Sequence, residues 1–557
     1  MTQRTNSRAW LVLLFVFAMF ATACGGEVTE EADDDVITGS DDETTETDDG
    51  EGGTDDDGAT SDDGGDDDAS DGDADAGDDA SGDDAAAGPN IYDDPRGGVF
   101  ADFQATYDRG DHPFTQVDQW CVAHDAAADR VETEPGIGAD EISIVHIKSR
   151  LEDAVDIGFG IPVGDMNEMF RVFVDYVNAE CGGIRGRQVN LETIEVSLFG
   201  PTTQEERNAA CLEATEDFDA VAIVNSSGFQ GSATLCIVEE KETIFVSTQG
   251  QSQEFMDRSN GRLFSLSNTN SENIRFAAVD LLASGTLAPG DVVGVASPDT
   301  DGQPEDVEEN LVNVLRDAGL EVVYDIIGCG GSTICSEGIS ESVANMRDAE
   351  ITHFFNVMGI LTAPGYIDEM VNQGFQPGDV QFIATDFNSQ AGELVSSQIP
   401  NSPASGELYD GAIIIDFRDT GEYRAADYQP TPYQEMCVGL YNENNTVGAT
   451  HAWNDEGDSA YGMAVSVCSI LRATFRGIYD AGDNPTRADI ESAMNNLGPV
   501  DLSGMIPASI EPGKGQMPNV IQTMDFAFPC DLPIPFVRSN GDPSCVTGRG
   551  DYRPAPR

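Results

Sequence analysis

The chain has 557 residues, with 102 Asp and Glu against 27 Lys and Arg and a formal net charge of −75. Hydrophobic residues at 39% can build a sizeable core, which excludes wholesale disorder, and the length allows two to four domains. So negative a chain excludes nucleic acid as a partner and docking on anionic lipid through a basic patch, both of which need clustered Lys and Arg.

The first residues read as an export signal. Arg4 and Arg8 precede an apolar run from Ala9 to Ala23, which is short for a membrane span and ends in Ala21-Thr22-Ala23-Cys24. That ending resembles a bacterial lipobox, with Ala21 where Leu is usual, and implies cleavage after residue 23 and lipid on Cys24. Residues 24–90 then form an acidic linker. From Glu27 to Asn90 there are 28 Asp and Glu, no Lys or Arg, no aromatic residue and no Leu. Such a segment has nothing to bury and repels itself, so it is expected to be a disordered tether. Asp71-Gly-Asp-Ala-Asp-Ala-Gly77 lacks the flanking helices of a calcium loop. Beyond the tether, residues 91–557 hold 74 acidic against 25 basic residues, so the folded part is acidic too.

Residues 91–136, with Trp120 and Cys121, show no clear periodicity and read as an N-terminal extension packed on the first lobe. Glu141–Ile147 is a β-branched strand. Met166, Met169, Phe170, Phe173, Val174 and Val177 then recur at helical spacing, and Cys181-Gly-Gly-Ile-Arg-Gly186 stops that helix. Strands are expected at 189–196, 220–224 and 243–247, with helices at 202–218 and 233–240 between them. After Ser271 the pattern restarts with a helix, strand 292–296, helix 305–318, strand 321–327, helix 336–348, strand 352–357, helix 366–373 and strand 380–384. A crossover strand at 409–416, helices at 459–481 and 486–497, and a strand at 520–528 complete it, with a Pro-rich terminus wrapping the surface. Strands alternating with helices of this length predict parallel, doubly wound sheets in two lobes. Ligands bind such sheets at the carboxyl ends of the strands, so the loops after Ile147, Val224, Val246, Ala296, Val357 and Ala384 are the ones to read.

Ten cysteines remain beyond Cys24, an even number in an exported chain, which reads as five disulfides. Nearness in sequence suggests Cys329–Cys335, Cys211–Cys236, Cys437–Cys468 and Cys530–Cys545, leaving Cys121 for Cys181. Zinc would need closer spacing: no CxxC pair exists, and His112, Cys121 and His124 make at best a partial site. No structural metal and no cofactor are expected. There is no G-x-S-x-G, H-E-x-x-H or Walker loop to support an exported hydrolase.

Val177-Asn-Ala-Glu-Cys-Gly-Gly-Ile-Arg-Gly-Arg-Gln-Val-Asn-Leu191, Asp219-Ala-Val-Ala-Ile-Val-Asn-Ser-Ser227, Ile244-Phe-Val-Ser-Thr248 and the pair Tyr461–Gly482 and Thr486–Leu497 occur in an order and spacing that resembles the type I periplasmic binding proteins, in particular the leucine/isoleucine/valine-binding branch. The likeness spans roughly residues 137–530. It implies two Rossmann-like lobes joined by three crossovers: lobe 1 from 137–268 and 405–500, lobe 2 from 269–404 and 501–530, and a tail at 531–557. It further implies a monomeric solute-binding lipoprotein that is no enzyme, held on the outer face of the cytoplasmic membrane and handing a small ligand to an ABC permease; a ligand sensor of the same fold is the alternative. The ligand's carboxylate would be held in the first lobe by Ser149, by Ser226 and Ser227, and by Thr248, Gln249 and Gln251. Asp386 would pair with an ammonium, beside Asn388. Asp301, Gln303 and Met358 stand where family members often carry aromatic residues, which leaves the ligand open between an amino acid and another small polar molecule such as an amide or urea.

Overall fold

The computed structural model describes residues 97–153, 163–200, 202–229, 231–300, 302–330, 334–386, 402–417, 430–452, 460–529, 545–548 and 552–557. Cys24, the acidic linker, Asp301, Asn388 and Cys530 lie outside the described residues.

Two sheets organise the chain. Strands β1 (Glu141–Ser149), β2 (Gln188–Val196), β3 (Ala222–Ser227), β4 (Ile244–Ser247) and β5 (Leu263–Ser265) pair in the order β2-β1-β3-β4-β5, every pair parallel. The interior strands are buried on both faces, which is why β1 reads as a continuous apolar run instead of an alternating one. One face packs on helix α1 (Met166–Glu180) and on the long helix Tyr461–Asp480, through Phe170, Phe173, Leu471 and Phe475. The other packs on Thr203–Leu212 and the short helix beginning at Ala233, through Val145, Ile223, Phe245 and Ile237.

The second sheet contains β6 (Val292–Pro298), β7 (Glu321–Ile327), β8 (His353–Asn356), β9 (Gln381–Thr385) and β10 (Ile413–Asp416), then β13 (Val520–Phe526) and β14 (Val546–Gly548). β6 to β10 pair in parallel, and β13 runs antiparallel to β10. Between them, β11 (Gly498–Pro499) and β12 (Ser509–Ile510) form a small ribbon. Helices cover both faces here too, with α2 (Asn270–Ser284) and α3 (Gln303–Val307) on the side of Val293, Val295 and Phe355, and α4 (Ala363–Asn372) on the side of Phe354 and Phe382. The chain therefore passes between sheets three times: from β5 to α2, from β10 back to the helices of the first sheet, and through β11 and β12 to β13.

Three departures from the expected elements stand out. Helix Pro432–Asn444 forms where the residue pattern suggests only connection. Thr431 and Gln434 make its capping box and Pro432 opens it, but its buried face is Tyr433, Cys437, Val438 and Tyr441, too polar to announce a core stripe. The terminus does more than wrap: Val546–Gly548 and β15 (Arg553–Pro554) pair antiparallel with β13. Arg557 then reaches Glu272, Asn268 and the Pro518 carbonyl, at the first and third crossings. The extension contains a helix, Val99–Thr106. It also docks Phe114 and the fully buried Trp120, whose Nε1 donates to the Phe173 carbonyl at 3.1 Å.

Cys121 and Cys181, Cys211 and Cys236, Cys329 and Cys335, and Cys437 and Cys468 are each brought to bonding distance. Three of these pairs tie the elements around the first sheet and one closes a short loop after β7.

Candidate ligand-binding site

At the carboxyl edge of the first sheet most hydroxyls and amides are spent on one another. Asn225 Nδ2 donates to the carbonyls of Ile147 (2.8 Å) and Ser227 (2.9 Å), stitching β3 to β1. Thr248 Oγ1 donates to the Ser226 carbonyl at 2.8 Å, and the Gly228 N–H donates to Gln249 Oε1 at 2.8 Å. Ser227 Oγ points back to the Ser149 carbonyl at 3.4 Å. Ser149 itself is fully buried and its Oγ has no hydrogen-bond partner. Its side chain lies under Gly228, where a Cβ would fall 2.5 Å from that oxygen and where φ is +66°. Glycine is required there on both counts. The structure thus brings Ser149, Ser226, Ser227, Thr248 and Gln249 to one edge. Gln251 is turned inward, accepting from Thr234 Oγ1 and donating to the Phe229 carbonyl.

His146, a short step along β1 inside this edge, gives no signal in the sequence because it sits in an apolar strand. Its ring stacks on Phe170 with centroids 3.7 Å apart, and its Nε2 lies 2.8 Å from Ser226 Oγ. Burial, with Lys148 assisting, pushes its pKa down to about 3, so the ring is neutral at ordinary pH. Nδ1 has no partner. A neutral imidazole carries one N–H, and burying an unbonded N–H is costlier than burying an unbonded lone pair. Nε2 therefore donates to Ser226 Oγ, which leaves the Ser226 proton to be donated elsewhere.

The second edge is built differently. Asp386, one residue past β9 and 2% exposed, accepts a 2.5 Å hydrogen bond from Ser267 Oγ, on the first crossing. Met358 is fully buried with Phe354 and Tyr366 in the core of the second sheet, and Gln303 begins α3, largely buried. Asp306, on the same helix, is pushed up to about 6, chiefly by burial, with Glu254 and Glu309 adding to the rise. The Gln253 N–H donates to Ser271 Oγ at 3.2 Å, joining the helix Gln253–Arg258 of the first lobe to α2, and both groups act against the Asp306 rise. Gly250 completes the junction, since a Cβ there would sit 2.6 Å from the Asn268 carbonyl. Among the described residues no group of three or more His, Cys, Asp or Glu could hold a metal ion.

Two doubly wound sheets, parallel from β1 to β5 and from β6 to β10 and joined by three crossovers, are the fold of the type I periplasmic binding proteins. No family model matches the chain, and no curated protein matches it. Solved structures do. A solute-binding protein of an ABC transporter from R. palustris, in complex with 4-hydroxybenzoate, shares 14% identity, spans 73% of this chain and 95% of its own, and superposes with a TM-score of 0.50. A leucine-binding protein from Thermotoga maritima shares 13%, with 74% and 97% covered and a TM-score of 0.50. A fatty acid ABC transporter substrate-binding protein from Thermomonospora curvata shares 14%, with 76% and 95% covered and a TM-score of 0.50. Two of these structural neighbours are binding proteins of ABC transporters and one is a leucine-binding protein.

Proposed function

We propose that the chain is an extracytoplasmic solute-binding lipoprotein of an ABC importer, without enzymatic activity. Lipid on Cys24 and the acidic segment 24–90 tether it to the membrane, and as a monomer it delivers a small organic carboxylate to permease subunits. One observation carries the reading: Ser267, two residues past the carboxyl end of β5, donates a 2.5 Å hydrogen bond to Asp386, one residue past β9, so the carboxyl ends of β5 and β9 meet at the first crossing. Ser226, turned into a donor by His146, and Ser149 with its unbonded hydroxyl suit a carboxylate. The neighbours named for leucine, 4-hydroxybenzoate and fatty acid have carboxylates in common, which supports that class over ureas. Asp386 then selects for an amine where the ligand is an amino acid.

Thermal-shift screening of amino acids, aromatic carboxylates, fatty acids, amides and ureas tests this, because a ligand at a hundred times its Kd adds ~2.7 kcal/mol. A carboxylate is expected to stabilise the folded chain, and stabilisation by amides or ureas alone would reject the class. With an amino-acid ligand, Asp386→Asn should cost about 2–3 kcal/mol of binding, or about 30- to 150-fold in Kd. Unchanged affinity would remove the amine from the reading.

A further inference from the structure

Asn356 is the last residue of β8, between β6 and β9 in the second sheet. Parallel pairing sets it level with Ala296 of β6 and one step beyond the Phe355–Ile383 pair with β9. It is 0% exposed, and neither its Oδ1 nor its Nδ2 has a hydrogen-bond partner. A side-chain amide offers two N–H donors and an acceptor with two lone pairs. Stripping all of these of water without replacing any bond is costly, and native interiors bond nearly every such group. The first sheet shows the ordinary solution: Asn225, near the carboxyl end of β3, bonds to two carbonyls. Asn356 makes no such bond, although it stands at the edge where this fold receives its ligand. The alternation of strand side chains places Asp386 on the same face of the sheet, one strand away.

We propose that Asn356 is a ligand-contacting residue of the second lobe, completed by a polar group at the end of the ligand remote from its carboxylate. The proposal rests on the solute-binding reading above. A planar amide sets a donor beside an acceptor, so it fits a group that both accepts and donates, namely a hydroxyl or a primary amide. In the sequence Met358, two residues on, is the more prominent candidate, but it is packed in the core.

The test has two arms, both on the full folded chain. In the first, Asn356→Leu, nearly isosteric and apolar, is compared with wild type by thermal unfolding without ligand; Asn356→Met, a more flexible apolar side chain, serves if leucine does not pack. An unbonded buried amide predicts an unchanged or raised Tm, by up to about 4 °C. A fall of several degrees in both variants would show that the amide holds the fold and would overturn the proposal alone. In the second arm, calorimetry compares 4-hydroxybenzoate with benzoate and glutamine with leucine. Wild type should favour the hydroxyl or amide member of a pair by about tenfold or more, and the preference should vanish in the variant. Equal binding of both members by wild type, or a preference that survives in Asn356→Leu, overturns the role of Asn356 and leaves the solute-binding reading standing. Failure of all four probes to bind wild type overturns this proposal, while the wider screen of amino acids, fatty acids, amides and ureas decides the carboxylate class separately.

Discussion

At the carboxyl end of the first sheet Asn225, Thr248 and Gln249 close a network of bonds among themselves and the neighbouring backbone, whereas at the end of the second Asn356 is buried with none and Asp386 leans on a serine of the crossing. The bonded part of the first edge is therefore pre-organised: Asn225, Thr248 and Gln249 keep their positions with or without a ligand, because moving any one breaks a bond to a neighbour, while Ser149 Oγ is held by packing under Gly228. The second edge is built to be completed. Such a division suits a two-lobed binder, in which one lobe holds the ligand first and the other gains its bonds on closure.

The same asymmetry extends to the covalent ties, and this is where the largest effect is expected. Cys121–Cys181 closes a span of 60 residues and Cys329–Cys335 one of 6. Loop-closure entropy then predicts that removing the first pair costs about 4 kcal/mol and the second about 2 kcal/mol. Denaturant unfolding of the two double-alanine variants checks the order; equal losses would erase this contrast between the lobes. Intact mass under denaturing, non-reducing conditions should fall about 10 Da below the reduced value if all five expected bridges form.

Titration separates the two edges in opposite directions. His146 has its pKa held down near 3 in the fold, while the unfolded chain takes up that proton from about pH 6.5 downward. Its contribution to stability is thus intact at neutral pH and lost as pH falls through that window. Between pH 7 and pH 4, wild type should lose about 3 kcal/mol more than His146→Phe. Asp306 behaves the other way. Its carboxyl is raised from 3.8 to about 6, so the fold holds this proton more tightly than the unfolded chain, and the cost of its ionised form is fully present above about pH 6. Asp306→Asn should therefore be more stable than wild type by about 2–3 kcal/mol at pH 8 and equal to it near pH 4. Urea titrations at the two pH values decide both cases, and a parallel response of the two variants would contradict the opposed environments.

The smallest effect concerns the acidic linker. Removing residues 27–90 should leave ligand affinity unchanged, since that segment, with Val28, Val36 and Ile37 as its only large aliphatic residues, has too little apolar surface to join either lobe. A loss of binding in the truncated protein would give the linker a place in the site.

Much of this architecture is legible in the order of residues. The β-branched runs of β1, β3 and β6 and the apolar stripe from Met166 to Val177 announce buried parallel strands and a covering helix, because strand and helix periods are local properties of the backbone. The pairs Cys211–Cys236 and Cys437–Cys468 are also within reach, since consecutive elements of a wound sheet pack side by side. Helix Pro432–Asn444 is hidden because Tyr and Cys supply its buried face.

The edges of the sheets are decided otherwise. Sequence places Gln251, Met358 and Ser226 alike on loops at strand ends. Only packing turns the Gln251 amide into the first lobe, sinks Met358 beneath Tyr366 and sets Ser226 against His146. Whether a buried amide such as Asn225 or Asn356 finds its bonds depends on which carbonyls lie within about 3 Å of it, which the register of neighbouring strands sets. Sequence therefore determined which segments form the lobes and where a ligand could enter. The tertiary structure decided which side chains there are already bonded and which remain to bond a ligand, because hydrogen bonding is a matter of tenths of an ångström between residues far apart in the chain.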